Sequence, residues 1–571
     1  CNINELFEAH IDMASRVEVL KGPGSVLYGS NAIHGVINVI TPDTTTGAGM
    51  LGYDYGSYGY NRLKLRSGKD FGDSGIGINA SATQNSGYRD DENVSQEKVN
   101  IRHRFDGNGV TVTSGLTYTH LDQDTAGYIS GFESYKDAEI SQRNEDPNAF
   151  RKNSALRVWS NSEWDLGNNT YLSVTPYYRN QDMSFFMHFL PGTPLEENAQ
   201  EGVGLQSVYV KPLSVNWHFQ AGFDAEYTEG SLRQFQNGPT GGSAFLAETV
   251  PAGRHYDYAV DATQLAPFVS LTWRSGAWEV SVGARYEYMH YDYTNYMLAG
   301  RTRDDGSECG FGGCRYSRPP SGSDEFNNIS PKLGISYRYS DALRLYANLS
   351  RGYRAPQATE LYRLQRDQVV ADLKSETAVN YEVGLQGSAE GVRYTLAAYT
   401  MYKDNFIFRD SDFFNVNDGK SRHQGIEAEL QYAPFTTWDI TAAASYARHT
   451  YEYEALLDGV SIDGNDIDTA PRLQANTRLG WNVSAQTRVE AEWQHVGQYF
   501  TDPENLHEYA GHDLFNVRVS TAITPQFTVF ARVLNVTDTR YAERADYTSF
   551  GGDRYFPGLP RHYMVSAQYT W

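Results

Sequence analysis

The side chains of this 571-residue sequence that could do chemistry are few and widely separated. Cys309 and Cys314 flank Gly-Phe-Gly-Gly in a polar stretch. They can close a small disulfide ring in an oxidising compartment, remain two thiols, or form half of a metal site, although no His lies nearby to complete a ligand set. Two acidic groups, Asp304-Asp305 with Glu308 and Asp458, Asp463, Asp466 and Asp468, offer the oxygens Ca²⁺ prefers. They lack EF-hand spacing, so a solvated face explains them as well. His34 stands beside a turn, where an imidazole serves as metal ligand, proton switch or simply a hydrogen-bonded structural group. The run Met183-Ser-Phe185-Phe186-Met187-His188-Phe189-Leu190 is apolar for a surface loop. It reads as a ligand patch through Phe185, Phe186, Met187 and His188, as a loop folded inward, or as girdle and loop-on-loop packing. Arg354, Tyr362, Arg363 and Arg366 in one loop, and Arg301, Arg303, Arg315 and Arg318 in another, are of the types that hold a bulky, anionic chelate by charge and stacking. Each is also explained as a solvated loop charge. No nucleophile motif, phosphate-cradling glycine loop or HExxH helix occurs, so a non-enzyme with no cofactor and no dedicated metal site is expected.

The elements that must carry these side chains are strands. The terminal run Tyr563-Met-Val565-Ser-Ala567-Gln-Tyr569-Thr-Trp571 alternates apolar and polar residues and ends on an aromatic carboxy-terminus. That is the pattern of a strand with one face on lipid and the other on a wet lumen. Nowhere does the chain hold the ~18 consecutive apolar residues of a membrane helix. With 42 Tyr, 52 Gly and 13% aromatic residues, the composition fits a barrel with aromatic girdles better than a large soluble all-β protein. A net charge of -22 argues against nucleic acid and against capture by anionic lipid.

Alternation recurs along the chain. In Trp278-Glu-Val280-Ser-Val282-Gly-Ala284-Arg-Tyr286-Glu-Tyr288 the apolar side chains take one face, and Glu279, Arg285 and Glu287 the other. Strands assigned between about residues 47 and 571 number 22, among them 48–57, 169–181, 202–211, 214–230, 261–274, 277–291, 326–339, 342–352, 525–535 and 560–571. Tight turns at Asp106-Gly-Asn-Gly109, Lys211-Pro-Leu213, Ser275-Gly276, Ser340-Asp341 and Glu390 alternate with long connections such as 122–153, 231–260, 292–325 and 353–374. An even strand count with short turns on one rim and long loops on the other predicts an outer-membrane barrel.

Residues 1–43 differ. Two β-branched runs, Val17–Leu20 and Val36–Thr41, bracket a Gly/Ser/Asn turn, an element too small to fold alone. This segment resembles the carboxy-terminal end of the plug of TonB-dependent outer-membrane receptors, matching at Arg16, Glu18, Val19, Lys21, Gly22, Pro23, Ser25, Leu27, Tyr28, Gly29, Ala32, Gly35, Val36, Ile37, Asn38 and Thr41. His34 departs from it, where the family usually has Gly. Leu534-Asn535-Val-Thr-Asp538-Thr-Arg-Tyr541, Phe556-Pro-Gly558-Leu-Pro560-Arg561 and Ser350-Arg-Gly-Tyr353-Arg354-Ala-Pro356 with Glu360-Leu-Tyr362 resemble further boxes of the family, here read as structural.

The resemblance implies an all-β protein: a plug remnant at 1–43 inside a 22-stranded antiparallel transmembrane barrel at 44–571, in the outer membrane of a Gram-negative bacterium. A bore of this size stays open unless filled, so a plugged barrel must bind a scarce solute outside and be opened by work from within. In the family that work comes from the TonB-ExbB-ExbD complex, through an amino-terminal TonB box. Cys1 and the missing box are read as the edge of a truncated chain that would not transport actively by itself. The expected partners are an extracellular metal chelate or other small ligand, lipopolysaccharide and outer-membrane lipid, with the receptor a monomer. A ferric siderophore is the expected cargo. Cobalamin, haem or an oligosaccharide are the alternatives within the family, and a passive pore or barrel enzyme the alternative outside it.

Overall fold

The computed structural model describes residues 8–409, 414–457 and 460–571, so Cys1 and Asp458 lie outside the described residues. Twenty-two antiparallel strands form one closed barrel, running from Met50–Gly56 to His562–Thr570. These two close the ring on each other, with Leu51 opposite Tyr569 and Tyr53 opposite Ala567. Closure leaves no unpaired edge in lipid, the condition any membrane-spanning sheet must meet.

The alternation decides which face is which. On the strand Trp278–Asn295, Val282 and Tyr286 are exposed, whereas Arg285 and Glu287 are 2% and 1% exposed. Apolar side chains therefore point outward and charged ones inward, the reverse of a soluble fold. Trp438 stacks on Trp481 at 5.2 Å, and Trp278 lies 4.6 Å from Tyr337, both beside the short-turn rim. Rings at that level suit the membrane interface.

The short-turn rim carries connections such as 108–109, 276–277, 341–342 and 390–391, and the opposite rim carries the loops 125–149, 296–321, 355–375 and 535–561. The strands run further into the outer rim than the alternation suggests: Gly253–Ser275 against 261–274, Leu195–Pro212 against 202–211, and Gly322–Ser340 against 326–339. Beyond the bilayer both faces are wet, so pairing continues while the two-residue hydropathy period fades.

Within the bore lies the hairpin Arg16–Lys21 with Gly35–Ile40, whose tip carries a short helix, Ser25–Tyr28. Near the closing strand, Asn535 has φ 51° and its amide donates to the Thr539 and Leu559 carbonyls at 2.9 and 3.1 Å. Asp538 accepts from the Arg561 backbone N–H at 2.8 Å, so these two boxes satisfy turn backbone as read from the sequence.

Candidate functional site

The plug tip forms the floor of the site. Glu18 and Asn38 are register partners joined at 3.1 Å, and Arg16 meets Glu18 at 2.6 Å, which fixes the base of the hairpin. Lys21 reaches Glu427 and Glu429 on the wall at 2.8 and 3.2 Å. Higher up, Gly22 lies against Asn380, and Pro23, Ser25 and Ile33 against Gly352; a Cβ on Gly352 would stand 2.9 Å from Pro23 Cβ. Gly29 has φ 77°, and a Cβ there would lie 3.2 Å from Arg285 Nη2 and 3.3 Å from Glu287 Oε2. The positive φ favours glycine, and a Cβ there would also crowd the buried Arg285–Glu287 pair. Gly35 packs against the Leu20 carbonyl across the hairpin, and Tyr28 remains about half exposed to the lumen. Arg285 is itself held by Asp224 at 2.6 Å, so the wall offers the plug a preset, buried charge network.

The roof is made by loops 296–321 and 355–375 folding inward. Ala358–Tyr362 is a helical turn with a reciprocal capping box between Gln357 and Glu360. It buries Leu361 and Tyr362 in a cluster with Tyr256, Tyr258, Tyr293, Tyr316 and Phe326. Tyr362 stacks on Tyr293 at 4.1 Å between ring centres and meets Tyr258 edge-on at 6.4 Å. Its hydroxyl donates to Asp324 at 2.6 Å. Burial and then the Asp324 carboxylate push the phenol up, so it remains a donor. Cys309 and Cys314 are disulfide-bonded and buried in the same cluster, and Tyr316–Ser317 pairs with Leu364–Gln365 to tie the two loops together. The hydroxyls of Tyr258 and Tyr293 are buried with no protein partner among the described residues.

The loop arginines are paired. Arg354 is shared by Glu360 at 2.8 Å and Glu376 at 2.9 Å, and Arg363 binds Glu196 at 2.7 Å. Burial works against the Arg363 charge, but Glu196 outweighs it and holds the guanidinium above its ordinary value. Arg301 binds Asp367 and Arg303 binds Glu248. Arg318 spends its donors on the carbonyls of Leu298, His255 and Thr302. Arg366 donates its backbone N–H to the Arg315 carbonyl, joining the same two loops.

The apolar run is elsewhere on the rim. Phe185 and Phe186 end the strand Tyr171–Phe186, opposite Glu196 and Leu195, rather than standing in a loop; the strand outlasts the bilayer because its partner does. Phe186 stacks with Phe150 at 6.4 Å, buried Met187 accepts from Gln234, and His188 bonds Asp146 at 2.8 Å. Arg354 likewise ends a strand, Leu343–Arg354, two residues beyond the expected 342–352. Of the acidic groups, Asp466 is taken by Arg448 and Arg472 at 2.9 and 2.6 Å, and Asp304 by Arg254 at 2.9 Å. Among the described residues no three donors stand in a ready metal set.

Sequence reasoning did not single out Tyr256, Tyr258, Tyr293, Phe326 or Glu196. Tyr256, Tyr258, Tyr293 and Glu196 lie on strand extensions that the alternation reads as loops, and Phe326 is the first residue of its expected strand, 326–339.

A TonB-dependent receptor-like β-barrel family model matches residues 37–536, and a TonB-dependent receptor plug model residues 2–36. The vitamin B12 transporter BtuB of Photobacterium profundum is 22% identical over 539 residues, 93% of this chain and 77% of that protein. The siderophore receptor PiuA of Acinetobacter baumannii shares the fold with a TM-score of 0.79 at 15% identity, covering 97% of this chain and 86% of that one. The ferric citrate transporter FecA does so with 0.80 at 16%, over 97% and 83%, and the copper transporter OprC with 0.77 at 15%, over 98% and 86%. At such identities these likenesses speak for the fold alone. The chain belongs to the TonB-dependent receptor family, whose members are transport receptors of the Gram-negative outer membrane and not enzymes.

Proposed function

We propose that this protein is the receptor for TonB-dependent active uptake of a ferric siderophore. The observation that supports the transport reading is the seating of the plug tip on the wall through Lys21, Gly29 and the close packing at Gly352, which ties a plug element to the inside of the barrel. The aromatic roof supports a chelate with flat, polarisable groups. Because Arg301, Arg354 and Arg363 are each matched by a carboxylate, the cargo is a chelate of low net charge, bound through ring faces and phenol hydroxyls. In this reading Phe185, Phe186, Met187 and His188 border the mouth as a lesser contact. Arg354, Tyr362, Arg363 and Arg366 hold the roof whose loops part to admit the ligand. TonB acts from the periplasmic side with its ExbB and ExbD partners, lipopolysaccharide surrounds a monomeric barrel, and no cofactor takes part.

A cobalamin is the second reading, favoured by the relative from Photobacterium profundum. Growth of the gene-deleted host, with and without the restored gene, separates them. Under iron limitation a panel of neutral and anionic ferric siderophores is supplied, and in a separate arm cobalamin under cobalamin limitation. Gene-dependent rescue by a neutral ferric siderophore supports the proposal. Rescue by cobalamin alone, or by no iron chelate, contradicts the substrate assignment.

A further inference from the structure

The residue at which the plug tip departs from the family pattern, His34, meets two more imidazoles on the barrel wall. His423 and His449 are register partners on the adjoining strands Asn415–Phe435 and Trp438–Tyr451. Their Nδ1 atoms are 2.8 Å apart and their ring centres 5.0 Å. The His34 ring stands edge-on to His423, 6.3 Å between centres at 75°. Ser421 Oγ lies 3.0 Å from His423 Nε2.

Two ring nitrogens this close share one proton, so at least one Nδ1 presents a lone pair to the other ring. With Nε2–H of His423 donating to Ser421, its Nδ1 becomes the lone-pair atom. A hydrogen-bond acceptor on the remote nitrogen is how ligating histidines are oriented. In a tetrahedron of ~2.05 Å bonds two nitrogens stand about 3.3 Å apart, so an ion replaces the shared proton with a small opening of the pair. His34 stands edge-on to the pair and does not yet converge with it, so its ring must turn and approach before all three imidazoles face one ion. The nearby charges cancel: Lys403 and Arg354 are matched by Glu376, at 3.1 and 2.9 Å, and Arg354 also by Glu360. His34 opens onto the lumen, so an ion can reach it from solvent.

We propose that His34, His423 and His449 form a binding site for a divalent transition-metal ion of the zinc, copper or nickel class, and that the bound ion bridges the plug tip to the barrel wall. The site stands apart from the aromatic roof and does not depend on which cargo the receptor carries. Carboxylates alone would favour Mg²⁺ or Ca²⁺, whereas three imidazoles select the borderline ions.

The test is titration of the purified, tag-free receptor in detergent at pH 7.5 with Co²⁺ as a visible probe, followed by Zn²⁺ competition. The expected result is one saturable equivalent displaced by Zn²⁺, at least tenfold weaker binding in His34→Gly and in His34→Gln, and loss of the equivalent in His449→Ala. Heat-modifiable mobility on gels verifies that each barrel is folded. Hydrogen exchange of residues 22–34 should slow on adding Zn²⁺ to the wild type and stay unchanged in His34→Gly. No saturable equivalent in the wild type, or binding in both His34 variants as tight as in the wild type, overturns the proposal.

Discussion

The backbone carbonyl of Tyr353 accepts the Asn31 N–H of the plug tip at 3.3 Å, while the next residue, Arg354, grips the roof helix through Glu360. One strand end therefore touches both the plug tip and the aromatic roof. Parting of the roof loops and movement of the plug share a physical connection through residues 352–354.

Gly352→Val should unseat the plug without unfolding the barrel. Its Cβ would fall 2.9 Å from Pro23 Cβ and 3.2 Å from Ile33 Cα, and the Gly352 backbone is fixed by pairing with Ala378. Cells bearing the variant should become several-fold more sensitive to antibiotics too large for porins, read by minimum inhibitory concentration.

Arg354→Ala should loosen the roof. It strips Glu360 and the buried Glu376 of their shared cation, while Lys403 still holds Glu376 at 3.1 Å, so the loss is roughly 1–3 kcal/mol. Limited proteolysis within 355–375 should accelerate at least tenfold, and ligand affinity should fall with it. Arg354→Lys should restore only part of both, because one ammonium cannot replace two guanidinium contacts.

Plug docking should weaken with acidity. The docked plug holds His34 at about 4, whereas a released plug would titrate near the ordinary 6.5. Between those values the released state binds more protons, so docking is fully stable above about 6.5 and loses stability as pH falls toward 4. Hydrogen exchange across residues 16–40 should therefore speed up from pH 7 to pH 4.5 after correction for intrinsic rates, and His34→Gly should flatten that dependence.

Cys309→Ser with Cys314→Ser should free the inward fold of loop 296–321. Closing so small a ring is worth about 2 kcal/mol in the chain-entropy account. Protease cleavage in this loop should rise in the double variant, and in the wild type only when reductant is present.

Much of this architecture is legible in the residues. Period-two runs such as Trp278–Tyr288 and Tyr563–Trp571 reveal strands because lipid enforces the pattern, and the turn at Asp106–Gly109 marks the short rim because turn chemistry is local. The plug residues Gly22, Gly29 and Gly35 are visible as a motif, but the reason for them is tertiary: Gly29 is shaped by Arg285 and Glu287, more than 250 residues away in sequence. The roof was the least legible part. Tyr256, Tyr258 and Tyr293 sit on strand extensions beyond the bilayer, where hydropathy no longer alternates. Arg354 and Arg363 look like free cations until the fold brings Glu376 and Glu196 to them. His34 looks solitary because His423 and His449 lie about 400 residues downstream.

The most direct test of the account is to fasten the plug to the wall. A Cβ on Gly283 would lie 3.3 Å from Val26 Cγ1, the branch that a cysteine sulfur would replace, so Val26→Cys with Gly283→Cys should cross-link the plug helix to the strand Trp278–Asn295. Energy-dependent uptake of a radiolabelled chelate that rescues growth is then measured, with cross-linking verified by gel shift. The prediction is uptake abolished in the oxidised form and restored by reductant. Equal uptake in the oxidised and reduced forms would show that cargo passes without the plug moving, and would contradict the account.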